Sequence, residues 1–99
     1  MRIIVYPSAK KHHIPVWQIR YAVAHAVVTI EKFSQSRIYP GTYNMLIIGR
    51  TKRGQLLEVI AFCENNTYYV FHCMKLRKKY AAYLGGDYAD SSETPETYE

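Results

Sequence analysis

The chain has 99 residues, 48% of them hydrophobic and 21% charged, which suits one globular domain with a modest core. Its apolar runs reach about eight residues, far short of the roughly 18 that a membrane-spanning helix needs, and no secretion signal is expected. Charge is unevenly spread. Residues 1–86 hold all 13 Lys and Arg against three acids (Glu31, Glu58 and Glu64), a formal +10, whereas residues 87–99 hold five acids and no base, −5. A small domain at +10 implies a polyanionic partner, RNA or an acidic protein, unless the charge serves solubility alone.

Arg2 to Tyr6 reads as a short strand, broken at Pro7. Ser8 is placed to cap a short helical turn through Lys10, Lys11, His12 and His13. Pro15 then sits where the start of a helix tolerates proline, and Val16 to Ala26 reads as a helix. Trp17, Ile19, Val23 and Ala26 fall near its inward face. Val27 to Phe33 is β-branched and reads as a strand, followed by a loop around Tyr39-Pro40-Gly41. Three more strands are predicted: Tyr43 to Arg50, Gln55 to Cys63 and Thr67 to Cys73. Their turns are the basic tip Thr51-Lys52-Arg53-Gly54 and the pair Asn65-Asn66. Met74 to Leu84 reads as a helix stopped by Gly85-Gly86, and residues 87–99 as a disordered acidic tail.

The predicted fold is therefore α+β: one domain over residues 1–86, with N-terminal helices packed on an antiparallel meander and a helix after it. If residues 50 and 55 flank the first turn and 64 and 67 the second, each face of the sheet follows by counting. One face then carries Ile48, Arg50, Leu57, Val59, Val70, His72 and Met74, and the other Met45, Ile47, Glu58, Ile60, Phe71 and Cys73. Cys63 and Cys73 lie within predicted strands and read as two buried thiols. No cofactor is expected, and no metal, because finger-like ligand spacing is absent.

The residue types near the last strand suit metal-free work on a phosphodiester, in which an RNA 2′-hydroxyl attacks its own phosphate. Such a site must move two protons and neutralise added negative charge. His72 is either a general acid or base, or a half-buried histidine bonded to backbone. Glu58 is either a proton acceptor with a raised pKa or the partner of a lysine from the final helix. Arg77 and Lys79 hold phosphate or form a solvated face. Tyr80 donates to a phosphate oxygen or closes the core edge. Arg50, Lys52, Arg53, Lys75 and Lys78 add positive charge, and His12 and His13 suit an anion or form a mobile surface turn. His25 reads as structural, and the ten tyrosines serve as core or as stacking platforms for bases.

A wider pattern joins these residues: His13-Ile14 before a helix, a strand ending Ile48-Gly49, a turn with Gly54, then Leu56-Leu57-Glu58-Val59-Ile60, and Val70-Phe71-His72-Cys73-Met74 running into Arg77-Lys78-Lys79-Tyr80. Over about residues 10–84 this resembles the small BrnT-like toxins of bacterial type II toxin–antitoxin modules, within the wider RelE-like group. The resemblance implies a compact α+β endoribonuclease of the prokaryotic cytoplasm that cuts RNA, ribosome-associated mRNA included, without a metal and slows growth. It also implies a cognate antitoxin as partner. His13 or His12 matches the histidine of the family's Lys-His segment. The family's last strand ends in a Ser-Ala-Arg run, whereas this chain has His72-Cys73-Met74. Either Arg77 or Lys75 takes the place of that arginine, or the chemistry has moved to His72, or cleavage is lost. Two other readings stay open: a module that binds nucleic acid or an acidic protein without cutting, and an interaction domain whose basic surface exists to grip an antitoxin. The acidic tail either lies across the basic surface or only solubilises the chain.

Overall fold

The computed structural model describes residues 1–37 and 39–85. Strand β1 (Arg2–Val5) leads into a 3-10 turn (Pro7–Lys10) and then helix α1 (Val16–Ala24). Strands β2 (Ala26–Gln35), β3 (Tyr43–Arg50), β4 (Leu56–Glu64) and β5 (Thr67–Lys75) follow, and the one-turn helix α2 (Lys78–Ala81) continues into a 3-10 turn (Ala82–Leu84). The five strands form one sheet in the order β1-β5-β4-β3-β2. β2 to β5 make the expected antiparallel meander, and β1 adds in parallel against β5, so the sheet is mixed. The α+β class holds. No helix among the described residues is long and apolar enough to cross a membrane. The acidic tail falls outside the described residues.

Helix α1 starts immediately after Pro15, whose carbonyl accepts the N–H groups of Gln18 and Ile19 at 2.9 and 3.1 Å. It buries Ile19, Ala22 and Val23, the spacing of one helical face, onto a sheet face made of Met45, Ile47, Leu57, Val59, Ala61, Val70 and Cys73. Burying a side chain such as Ile19 contributes about 1.5–3 kcal/mol. Trp17, expected inward, is 56% exposed, and Ala26, also expected on that face, is an exposed residue of β2. The helix ends at Ala24, two residues short of the hydrophobic period read from the sequence. Cys73 is buried as expected, but Cys63 is exposed on β4 near its turn. Burial, helped by the Glu58 charge, pushes the Cys73 thiol up to about 12.

Two local features overturn the predicted register. At the first hairpin Thr51 N–H donates to the Gln55 carbonyl at 2.8 Å and Gly54 N–H to the Thr51 carbonyl at 2.9 Å, leaving the three-residue tip Lys52-Arg53-Gly54. Gly54 has φ +89°, the left-handed conformation that such a tip requires. Arg50 therefore pairs with Leu56, and Ile48 with Glu58. At the second hairpin, Asn65 and Asn66 both take positive φ in a tight turn, and Glu64 pairs with Thr67 as expected. The ladder then slips. Ala61 pairs with Val70 but Ile60 with His72, so Phe71 is the extra residue of a β-bulge. The segment after β1 supports the bulge: Tyr6 N–H donates to the Val70 carbonyl at 2.8 Å and Ser8 Oγ to the Phe71 carbonyl at 2.7 Å.

Together these shifts put Leu46, Ile60 and His72, and Ile48, Glu58 and Met74, on the face away from α1. Glu58 and His72, expected on opposite faces, share one. The C-terminal helix also begins later than expected, because β5 runs on to Lys75 and α2 starts at Lys78. Tyr80 and Tyr83 of this segment meet Phe33 of β2 edge-on, with ring centroids 5.4 and 6.3 Å apart.

Gly49 explains its own place in the sequence. A Cβ built there would lie 1.9 Å from the Ala22 carbonyl oxygen, so only glycine lets α1 settle on β3. The replacement Gly49→Ala must lift the helix and is expected to cost about 1–3 kcal/mol or more, read as a lower urea midpoint. An unchanged midpoint would mean that α1 does not pack there.

Candidate functional site

Glu58 sits in the middle of β4 and is fully buried. Its Oε2 accepts a hydrogen bond from His72 Nε2 at 2.8 Å and two from Arg77, through Nε at 3.0 Å and through Nη2. Its Oε1 accepts the Arg77 backbone N–H at 2.9 Å. Arg77 is the residue that precedes α2, in extended conformation, so one carboxylate ties β4, β5 and the start of the C-terminal helix together. The His72 and Arg77 side chains are 19% and 28% exposed, which leaves both at the surface with Glu58 beneath them.

Burial works to raise the Glu58 pKa, but the hydrogen bonds from His72 and Arg77 outweigh it and hold the carboxyl below its ordinary value. The expected proton acceptor with a raised pKa is therefore corrected: Glu58 is an ionised anchor whose oxygens are taken by Arg77 and His72. The expected lysine partner is likewise replaced by an arginine. Arginine suits the place, since its planar fork delivers two N–H groups to one carboxylate.

The bulge aims His72 at this carboxylate, and with Nε2 spent on Glu58 its Nδ1 is the remaining ring nitrogen. His12 stands against it. The 3-10 turn after β1 carries His12 alongside β5, and the two imidazoles meet edge-on at 5.9 Å with planes 78° apart. His12 is exposed at the surface. The desolvation it still feels, and then the neighbouring His72, Lys11 and Arg77, hold its pKa below the ordinary 6.5, only partly offset by Glu58. His13 instead takes φ +63° in the turn, a conformation unusual for a residue with a side chain. Of the two adjacent histidines, His12 is the one beside His72.

The other expected residues divide into two groups. Tyr80 joins the cluster: Arg77 and Lys79 lie over its ring at 5.4 and 5.0 Å, and Phe33 meets its edge. Lys78 is exposed on the same helical turn. Arg50, Lys52, Arg53 and Lys75 gather instead at the end of the sheet that carries the first hairpin tip. Arg50 and Lys75 line a cleft of about 690 Å³ there, together with Val27, Gln55 and Leu56. Ile48 and Arg50 lie two residues apart on β3, so Arg50 shares the face of Glu58.

Sequence reasoning missed the His12–His72 contact and an aromatic cleft on the same face. The cleft, about 570 Å³, is lined by Tyr6, Tyr39, Phe62, Tyr69 and Phe71, with Arg37 at its edge. The pairing of Phe62 with Tyr69 was available by counting back from the Asn65-Asn66 turn. The approach of Tyr6, Tyr39 and His12 depends on long-range packing and left no sequence signal. Comparison with protein-family models, with curated proteins and with solved structures finds no match to this chain.

Removing the carboxylate leaves Arg77 and His72 without their buried partner. The variant Glu58→Ala is expected to lose about 3–5 kcal/mol of stability, measured by urea unfolding at neutral pH. Because the folded pKa of Glu58 lies below its unfolded value near 4.5, its contribution is complete above that pH and is lost as pH falls through the folded value. The wild-type midpoint should therefore drop below about pH 4.5 more steeply than that of Glu58→Gln. Parallel curves would show that the carboxylate is not held as an anion.

Proposed function

We propose that this chain is a metal-independent endoribonuclease, the toxin of a type II toxin–antitoxin module, held in check by a cognate antitoxin. The observation that carries the reading is the His12–His72 pair at the surface, backed by the buried Glu58 and flanked by Arg77 and Lys11. The chemistry would be a transesterification. His12, whose pKa is held below the ordinary value by desolvation and then by its neighbours, takes the proton of an RNA 2′-hydroxyl as that oxygen attacks the adjacent phosphorus. His72 gives a proton from Nδ1 to the departing 5′-oxygen. The products are a 2′,3′-cyclic phosphate and a 5′-hydroxyl. Glu58 touches no substrate; it orients His72 and so acts as a positioning residue, and Arg77 bridges Glu58 to the phosphate side of the site. Well-placed acid and base groups each contribute about 10²–10⁴-fold.

The resemblance to BrnT-like toxins supports the same reading from the sequence side, and the basic end of the sheet around Arg50, Lys52, Arg53 and Lys75 suits either an RNA backbone or an acidic antitoxin segment. A binding module without cleavage is the second reading. It is favoured by one observation: the Glu58 bonds pin α2 to the sheet, which is a sufficient structural use for them.

Purified wild type should cut single-stranded RNA in the presence of EDTA and leave 2′,3′-cyclic phosphate ends. His12→Ala and His72→Ala should each reduce the rate by about 10²–10⁴-fold with the fold intact by circular dichroism. Induced expression of the wild type should arrest growth with fragmented RNA, and His72→Ala should relieve it at equal protein level. Tight, salt-sensitive RNA binding without cleavage by the folded wild type would establish the binding module instead.

A further inference from the structure

The aromatic cleft is used by neither the histidine pair nor the core. Tyr39 and Phe62 stack at 5.3 Å with planes 25° apart, Phe62 leans on Tyr69 at 6.4 Å, and Tyr69 on Tyr6 at 6.0 Å. The four rings form a continuous ladder across the turn end of β4 and β5 and the loop before β3. Tyr39 and Tyr6 are 54% and 44% exposed, an uneconomical use of large aromatics unless something covers them.

The cleft opens on the face that carries His72. Phe71, the bulged residue, lines it and directly precedes His72. Phe62 and Glu58 point to the same side of β4, four residues apart, a separation of about 13 Å. Polar groups sit around the aromatic floor: Arg37 is exposed, and the Asn44 side-chain N–H donates to Ser34 Oγ at 3.2 Å. The surrounding domain is strongly basic. Flat aromatic faces, a cation and hydrogen-bonding amides are what an unpaired nucleobase requires: every base has a face to stack, and its phosphate needs a counter-charge.

We infer that the cleft between Tyr39, Phe62 and Tyr69 is a stacking subsite for an unpaired base of single-stranded RNA, close along the strand to the phosphate held at the His12–His72 pair. The inference rests on the nucleolytic reading for its substrate class. It gives the site a selectivity that the histidines alone lack. A base in a duplex is stacked on its neighbours and cannot enter the cleft, so the site takes loops, ends and unpaired message. Asn44 and Arg37 are placed to touch the edge of the stacked base.

The test uses an uncleavable 2′-O-methyl oligoribonucleotide with 2-aminopurine at successive positions, added to the full chain. Stacking quenches 2-aminopurine, so one position should lose fluorescence on binding to wild type. Tyr39→Ala and Tyr39→Leu, both at an exposed loop position, should weaken binding by roughly 5- to 150-fold and abolish the quench. Tyr39→Trp should restore both. The same sequence annealed into a duplex should compete poorly. Unchanged affinity and quench in Tyr39→Ala, or equal competition by the duplex, overturns the subsite even if wild type cleaves RNA. Quenching that depends on Tyr39 without any cleavage supports the subsite and removes only the nuclease. Retention of affinity by Tyr39→Leu, with no quench at any position, overturns the stacking role and points to an apolar protein segment as the occupant.

Discussion

A carboxylate with no solvent contact in the middle of a sheet costs several kcal/mol unless charged donors meet it, and in this domain they arrive from two directions. Glu58 receives His72 from the neighbouring strand, and from beyond that strand's end it receives both the side chain and the backbone of Arg77. Each donor is in reach only because something else is in place. His72 requires the bulge at Phe71, and Arg77 requires β5 to stop at Lys75 and the chain to turn back. The bulge in turn is held by Tyr6 and Ser8, in the segment that brings His12 to the site. The buried charge thus makes the register, the C-terminal turn and the first turn mutually dependent.

The two faces of the sheet divide the work. Against α1 the packing is apolar and close, to the point that Gly49 is required beneath the Ala22 carbonyl. That face supplies hydrophobic stabilisation and a rigid floor. The other face is polar near Glu58 and aromatic near Phe62, with basic side chains at the hairpin end. A sheet stiffened from behind can hold an ionised pair and exposed rings in front without collapsing onto them. Loss of packing on the α1 side would be felt through the sheet as misplacement of His72.

Strands and helix α1 were legible because their patterns are local: β-branched runs, the Gly54 and Asn65-Asn66 turns, and the Ile19 to Val23 spacing. β3 coincides with its prediction residue for residue. The pairing of faces was not legible, because it turns on single residues that pattern does not reveal. One fewer residue at the first hairpin tip and one extra at Phe71 each invert half a sheet. His72 and Glu58 were readable as an unusual histidine and an unusual acid, but their contact was the product of the bulge at Phe71. Trp17 was placed inward on its hydrophobicity, yet the helix face is chosen by the small residues Ala22 and Gly49 that allow close approach. His12 could not be separated from His13 by sequence. The turn decides between them, giving His13 the left-handed backbone and His12 the contact.

The field around His12 ties the structural and the proposed chemical roles together. Desolvation first, and then the field of His72, Lys11 and Arg77, hold its pKa down, while the Glu58 carboxylate beneath them opposes the effect. The same positive field would stabilise the extra negative charge that builds on phosphorus during attack. In the proposed reaction, as negative charge grew on the phosphate, the repulsion opposing protonation of His12 would weaken and its basicity would rise. In the proposed nuclease, His12 would be a base held below its ordinary pKa before substrate binds and a stronger acceptor once the reaction begins.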